Sequence, residues 1–518
     1  MPIYHDPNYS PGDLTNSPPA LELCRSWIEN CIKNHDKCKG LKIDTWWPTR
    51  LLYVGHLSSG DISEKDPSSL TIQLHSTRDK QPQGSYITLS HCWGDSKEIL
   101  KLTADEYDDR IKNGFSYAEL PKTFQDVCNI AATASRGPAE GCFYPRNPVT
   151  VFQKFMLKGE VTKDPPVERY FLLNHSCWDE TVEDAPLNKR AWVMQERALA
   201  PRQIHCGRDQ LLWECPQMTG CEPFPLAVQF RPLGSGPAMH MTECMPELIF
   251  KLSEISQTLE QPQSATRDMS IKHMRYDIYQ YWARIVDHYS TCALTYRTDK
   301  LVAISGIASR IQHALKYMDD YVAGLWRSQL PQQLLWQIQG IKEDSTPSYT
   351  IGPSWSWACL DTNVYFPIAF AGRFTLIDIL DVHDGHTITG KGESPLKLRC
   401  ILRKIYYAAG KSPYILTCVH NHGDEEPSPR ECKRVGVNKD NVHMDSVESR
   451  NCWKDWKEVY MMPVLWNMVG DSSAGLMVSS VGQERPGFYR RIVYHLCYLR
   501  RFYCNSDKRG EADHGICV

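Results

Sequence analysis

The sequence predicts an α/β core, preceded by a leader of helix and hairpin and followed by an α+β region. Three observations carry that prediction. YITLSHCWG (86–94) alternates like a strand, whereas LPKTFQDV (120–127) and AWVMQERAL (191–199) repeat their apolar residues at helical spacing. Beyond PSWSWACL (353–360) the chain turns to strands and ends in MMPVLWNMV, GLMVSSV and FYRRIVYHLCYL. A chain of 518 residues exceeds what one hydrophobic core accommodates, and its 42% apolar and 23% charged residues are ordinary globular usage.

Residues 1–20 carry five prolines among Asn, Ser, Gly and Asp, the composition of a disordered tail. Residues 21–83 form the leader. Leu23, Trp27, Cys31 and Cys38 recur at helical spacing, PTRLLYVG reads as a turn into a short strand, and LTIQLHST as a half-buried strand able to pair with it. The α/β domain is expected over 84–215. Within it Pro121 opens a helix at the position where proline is best tolerated, the AWVMQERAL helix stops before Pro201, and QIHCGRDQLLWEC reads as two strands around a glycine-containing turn. A Pro/Gly-rich linker is expected over 216–245. A helical region over 246–350 includes YDIYQYWARIVDHYS, DKLVAISGIASRIQHAL and YVAGLWRSQLPQQLLWQI, and a β-rich region covers 351–518.

The formal net charge of -3 gives no global field toward nucleic acid or an anionic membrane, so neither partner is expected. No basic-then-apolar N-terminal signal and no membrane-length apolar run occurs, which makes the cytoplasm the default address. Twenty cysteines scattered through a long chain of that kind read as buried free thiols rather than a disulfide framework. Neither a GxxxxGK[ST] loop nor a GxGxxG turn is present, so nucleotide hydrolysis and a dinucleotide fold lack their phosphate cradles.

As a strand, the first motif would put Ile87, Leu89, His91 and Trp93 on one face and Ser90 and Cys92 on the other. A Ser-His-Cys-Trp cluster at a strand end is a candidate site, and a core histidine is the ordinary alternative. Neighbours on a strand face opposite ways, which argues against a Cys92–His91 nucleophile pair. On AWVMQERAL, Trp192, Glu196 and Leu199 share a face, so Glu196 would be partly desolvated, as a catalytic acid/base or a buried ion pair would be. Cys24, Cys31, His35 and Cys38, at spacings of seven, four and three, fall on one side of one helix. Structural zinc draws its ligands from a turn or from converging elements, so this spacing reads as a packed face and no metal ligand is assigned. Arg297, Lys300, Arg310 and Lys316 read as a solvated helical face.

These motifs resemble a family. YITLSHCWG is similar to the opening block of fungal heterokaryon-incompatibility (HET) domains, LPKTFQD to their second block, and RAWVMQERALAPRQIHCGRDQLLWEC to their closing block, in the family's order. WIENCIKNHDKC and PTRLLYVG resemble the family's leader, and LTYRTDKLVAISGIA, YVAGLW and PSWSWA its C-terminal half. The family pattern continues after LPKTFQD with a strand and a helix that this chain lacks. Asp126 is followed directly by VCNIAATAS, so roughly 30 residues, about one strand-helix unit, are missing. Phe124, Val127, Ala131 and Ala134 across the join read as one helix, whereas the family uses IAATAS as a strand. A degenerate member and a mis-spliced gene both account for this, and the intact flanking blocks favour the second.

The resemblance implies a cytoplasmic non-self-recognition effector linked to programmed cell death, with an incomplete, distantly TIR-like sheet. Its partner would be a protein or incompatibility factor, with self-association possible. Some TIR domains hydrolyse NAD with a glutamate. By that analogy Glu196 and His91 are the candidate catalytic residues, Ser90, Cys92 and Trp93 would line a site for NAD as substrate, and no resident cofactor is implied.

Overall fold

Folding of the leader begins before the end of the expected tail. Thr15, Asn16 and Ser17 are buried, and helix α1 spans Pro18–Asn34, with proline at its first positions, where a missing N–H costs nothing. The disordered tail therefore does not extend over 11–20, and residues 1–10 lie outside the described residues. The computed structural model describes residues 11–39, 47–54, 69–79, 86–92, 100–135, 144–148, 156–157, 170–171, 176–226, 241–261, 265–339, 348, 351–367, 374–382, 395–406, 414–418, 432–436, 442–444, 459–467, 472–480, 489–497 and 516–517. No helix among them is long and apolar enough to cross a membrane. They fall into two units, 1–189 with 196–253 and 190–195 with 254–518.

In the first unit, α1 buries Ala20, Leu21, Cys24, Trp27 and Cys31. His35 (φ -86, ψ 106) is extended and ends the helix, and α2 (Asp36–Lys39) resumes after this break. The leader hairpin forms as its alternation demands: β1 (Arg50–Tyr53) pairs antiparallel with β2 (Thr71–Ser76), with Leu52 opposite Leu74. Ile72, Leu74 and Ser76 of β2 are buried while Thr71 and Gln73 are exposed. Strand β3 (Phe115–Ser116) pairs with the start of β2, and Leu70, Ile72, Tyr117, Leu120 and Cys128 close a small core there.

A single helix, Lys122–Ser135, runs straight across the join between Asp126 and Val127. Asp126 is buried, with Lys122 Nζ at 3.4 Å. The expected strand at 86–94 does not form over its described part, since 86–92 are irregular and Tyr86, Ile87 and Thr88 are exposed. Among the described residues no strand borders this segment, and a strand without a partner is not stable in water. Short strands β4 (Met156–Leu157) and β5 (Tyr170–Phe171) pair with each other.

The closing block builds a meander, β6 (Gln203–Cys206), β7 (Leu211–Cys215) and β8 (Met218–Cys221), with all of β7 buried. Strand β8 and the buried Glu222 and Phe224 lie inside the stretch expected as linker, so 216–224 belongs to the domain instead. Every ladder between named strands is antiparallel. An α/β layer of the expected kind would run its strands mostly parallel, and what the described residues of the first unit show is helices with small antiparallel sheets.

In the second unit, helices Ala265–Thr291 and Val302–Ala314 bury Ile278, Trp282, Ile285, Tyr289, Ile304, Ile307 and Ile311. YVAGLWRSQLPQQLLWQI does not continue them as a helix. It turns at Ala323 (φ 47) and Gly324 (φ 92) between two paired strand segments, Tyr321–Val322 and Leu325–Trp326. A side chain at Gly324 would meet the Trp357 indole, with Nε1 at 2.7 Å, which leaves the position to glycine. Lys300 is buried, not solvated: its ammonium donates to the Leu360 carbonyl and lies 5.3 Å from the Trp357 ring centroid. Toward the C-terminus, Val459–Asn467, Ser472–Ser480 and Tyr489–Cys497 pair in an antiparallel meander, within the stretch expected to turn to strands.

Candidate functional site

Glu196 lies on the Ala191–Leu199 helix, and its carboxylate is exposed, not sandwiched in an apolar face; Trp192, four residues before it, is itself 39% exposed. It accepts a hydrogen bond from the Ser90 hydroxyl. His91 is half-buried and packs edge-on against Phe124, with ring centroids 4.9 Å apart and an interplanar angle of 78°. Segments 86–92, 120–126 and 196–199 are thus drawn together by two side-chain contacts, one from Ser90 and one from His91. Cys92 is an exposed free thiol, and Trp93 lies outside the described residues. The strand reading had set Ser90 and His91 on opposite faces of a sheet; here the irregular backbone gives each its own partner.

The buried ionic group of this helix is Arg197, one residue further on. Its guanidinium forks between Glu183, at 3.0 and 3.1 Å, and Glu214, at 3.1 and 3.2 Å. His205 Nε2 lies 3.0 Å from the same Glu214 carboxylate, and Trp178 Nε1 donates to Glu183 at 3.3 Å. Burial alone would raise the Glu214 pKa, but Arg197 and the His205 contact outweigh it and hold the carboxyl below its ordinary value. Burial likewise works against the Arg197 charge, and the two carboxylates reverse that and raise its pKa. A second buried pair, Arg146 Nη1 to Glu222 Oε1 at 2.6 Å, fixes the start of β7, where the Leu211 N–H donates to that oxygen at 2.8 Å. Helical spacing and the Glu-Arg neighbours were visible in the sequence, but choosing which of them is buried needed the sheet.

A third constellation was missed. Cys31 of α1, His35 at the helix break, Cys38 of α2 and Cys215 at the end of β7 bring their ligand atoms within 4.8 Å of one another, and all four are buried. Cys24 is not among them. The break at His35 overturns the single-helix reading, because the chain bends where a straight helix would have carried Cys38 past the other two. The fourth member comes from 180 residues beyond His35, so no local spacing could have supplied it.

The chain matches no family model, no curated protein and no solved structure.

Proposed function

We propose that the chain is a HET-type effector of non-self recognition, acting in the cytoplasm, whose first unit signals cell death and whose second unit recognises a protein partner or restrains the first. The observation that carries this reading is the convergence of the three sequence blocks: Ser90 on Glu196 and His91 on Phe124. Blocks that only happened to resemble a family would have no reason to touch through the residues that define them. Forced expression in a filamentous fungus tests it. Growth arrest and death are expected, lost in a Glu196→Ala and His91→Ala double variant that still accumulates; unchanged viability with the wild type removes the effector role.

A second reading is NAD hydrolysis at the same place. It is favoured by one feature, an exposed carboxylate that already accepts a hydroxyl, as it would accept a ribose hydroxyl. Purified protein incubated with NAD should release nicotinamide, and Glu196→Gln should abolish that release. No release from the wild type leaves the first reading as signalling without catalysis.

A further inference from the structure

The geometry points to a structural zinc site formed by Cys31, His35, Cys38 and Cys215, which pins the leader to the end of β7. Three thiolates and one imidazole are a standard donor set for closed, tetrahedral zinc. With bonds of about 2.3 Å to sulfur and about 2.0 Å to nitrogen, neighbouring donors of such a tetrahedron lie roughly 3.5–3.8 Å apart. All four donor atoms here fall within 4.8 Å of one another, and His35 Nδ1 to Cys215 Sγ is 3.3 Å, so small side-chain adjustments close the shell.

The backbone is arranged for convergence. Cys31 sits in the last turn of α1, extended His35 redirects the chain, and Cys38 follows in α2. The Lys37 N–H donates to Gln217 Oε1 at 3.1 Å, which ties α2 to the turn that follows Cys215. Elements from opposite ends of the first unit thereby meet at one point, which is what a structural zinc site requires and a single helix cannot provide.

The surroundings fit an anionic metal centre. Zinc with three thiolates and a neutral imidazole carries one net negative charge, costly to bury unless it is offset. Arg202 Nε donates to Cys31 Sγ at 3.3 Å and brings a guanidinium to that charge. His35 Nε2 lies 3.1 Å from Asn30 Nδ2, and with Nδ1 turned to the sulfurs and the metal, the Nε2–H donates once the Asn30 amide is turned to present its oxygen. Ala20, Trp27, Leu211, Trp213 and Met218 form an apolar wall on the same core. Four protein donors and burial on every side leave no coordination position for substrate, so the ion holds structure and does no chemistry.

This inference rests on side chains of the first unit alone and stands whether or not the death-effector reading does. The test is zinc content of the full chain, purified under reducing conditions with zinc supplied. Elemental analysis should give one zinc per chain, and release should follow titration of the thiols with a mercurial. Cys215→Ser should lower zinc retention against a chelator by more than the roughly 10–100-fold typical of losing an outer-shell contact, while Cys92→Ser, at an exposed thiol, should keep it. A second variant, His35→Cys, covers a folding failure of Cys215→Ser: it should still hold zinc, and its cobalt-substituted form should gain thiolate-to-metal absorption as three sulfurs become four. A wild type without zinc, a Cys215→Ser protein with full zinc, an unchanged cobalt spectrum in His35→Cys, or a disulfide among these cysteines would each overturn the site.

Discussion

The opening and closing blocks of the first unit contrast sharply. Residues 86–92 belong to no ladder and expose Tyr86, Ile87 and Thr88, whereas β7 in the closing block is buried throughout and borders both the Arg197 cluster and the four-residue Cys/His cluster. Both blocks contain segments that read as strands in sequence. What separates them is a neighbour: β7 has β6 and β8 beside it, each joined by a short local turn, while no strand among the described residues pairs with the opening block. A strand flanked by neighbours in sequence pairs at little loop-closure cost, and one without such neighbours does not.

The largest effect expected from this contrast is at Arg197. Replacing it with Met leaves Glu183 and Glu214 buried without their shared cation, and the loss should be about 3–5 kcal/mol in urea unfolding of the full chain. A loss under about 1 kcal/mol would mean that the closing block is no better fixed than the opening one. A smaller effect, tied to pH, belongs to Glu214. Against the opposing effect of burial, Arg197 and His205 hold its pKa below the ordinary value. The stability gained is therefore full above the unfolded-state value of about 4.3 and disappears as pH falls through the folded value. The advantage of wild type over Glu214→Gln should accordingly narrow as pH falls below about 5, and a gap that widens on acidification contradicts the assignment. The smallest effects lie in the opening block: Ile87→Ala should stay within about 0.5 kcal/mol and Ser90→Ala within about 1 kcal/mol in the same unfolding assay. A change of several kcal/mol at Ile87 would show that this segment is packed after all.

Local pattern was enough for the elements that make themselves. The β1–β2 hairpin, the Lys122–Ser135 helix across the join, the Ala191–Leu199 helix and the three long C-terminal strands all follow from spacing and turn residues. Long-range identity of partners was not legible. Nothing near Cys31 announces Cys215, and nothing near Lys300 announces that Leu360 and Trp357 take it out of water. The helix break at His35 was equally hidden, since a residue of moderate helix propensity ends α1 where neither Gly nor Pro marks the place. Ser90 and His91, singled out as candidate site residues, reach the closing and second blocks through contacts made from an irregular backbone and not from a strand.

In the second unit, the Gly324 carbonyl accepts from two indoles, Trp282 at 3.3 Å and Trp357 at 2.9 Å. One peptide plane thus carries the register of three stretches that are far apart in the chain, and rotating it by a bond or two would release both rings together. Local fluctuation there should be all-or-none: amide and indole protons across these stretches should exchange with solvent at a common rate rather than piece by piece.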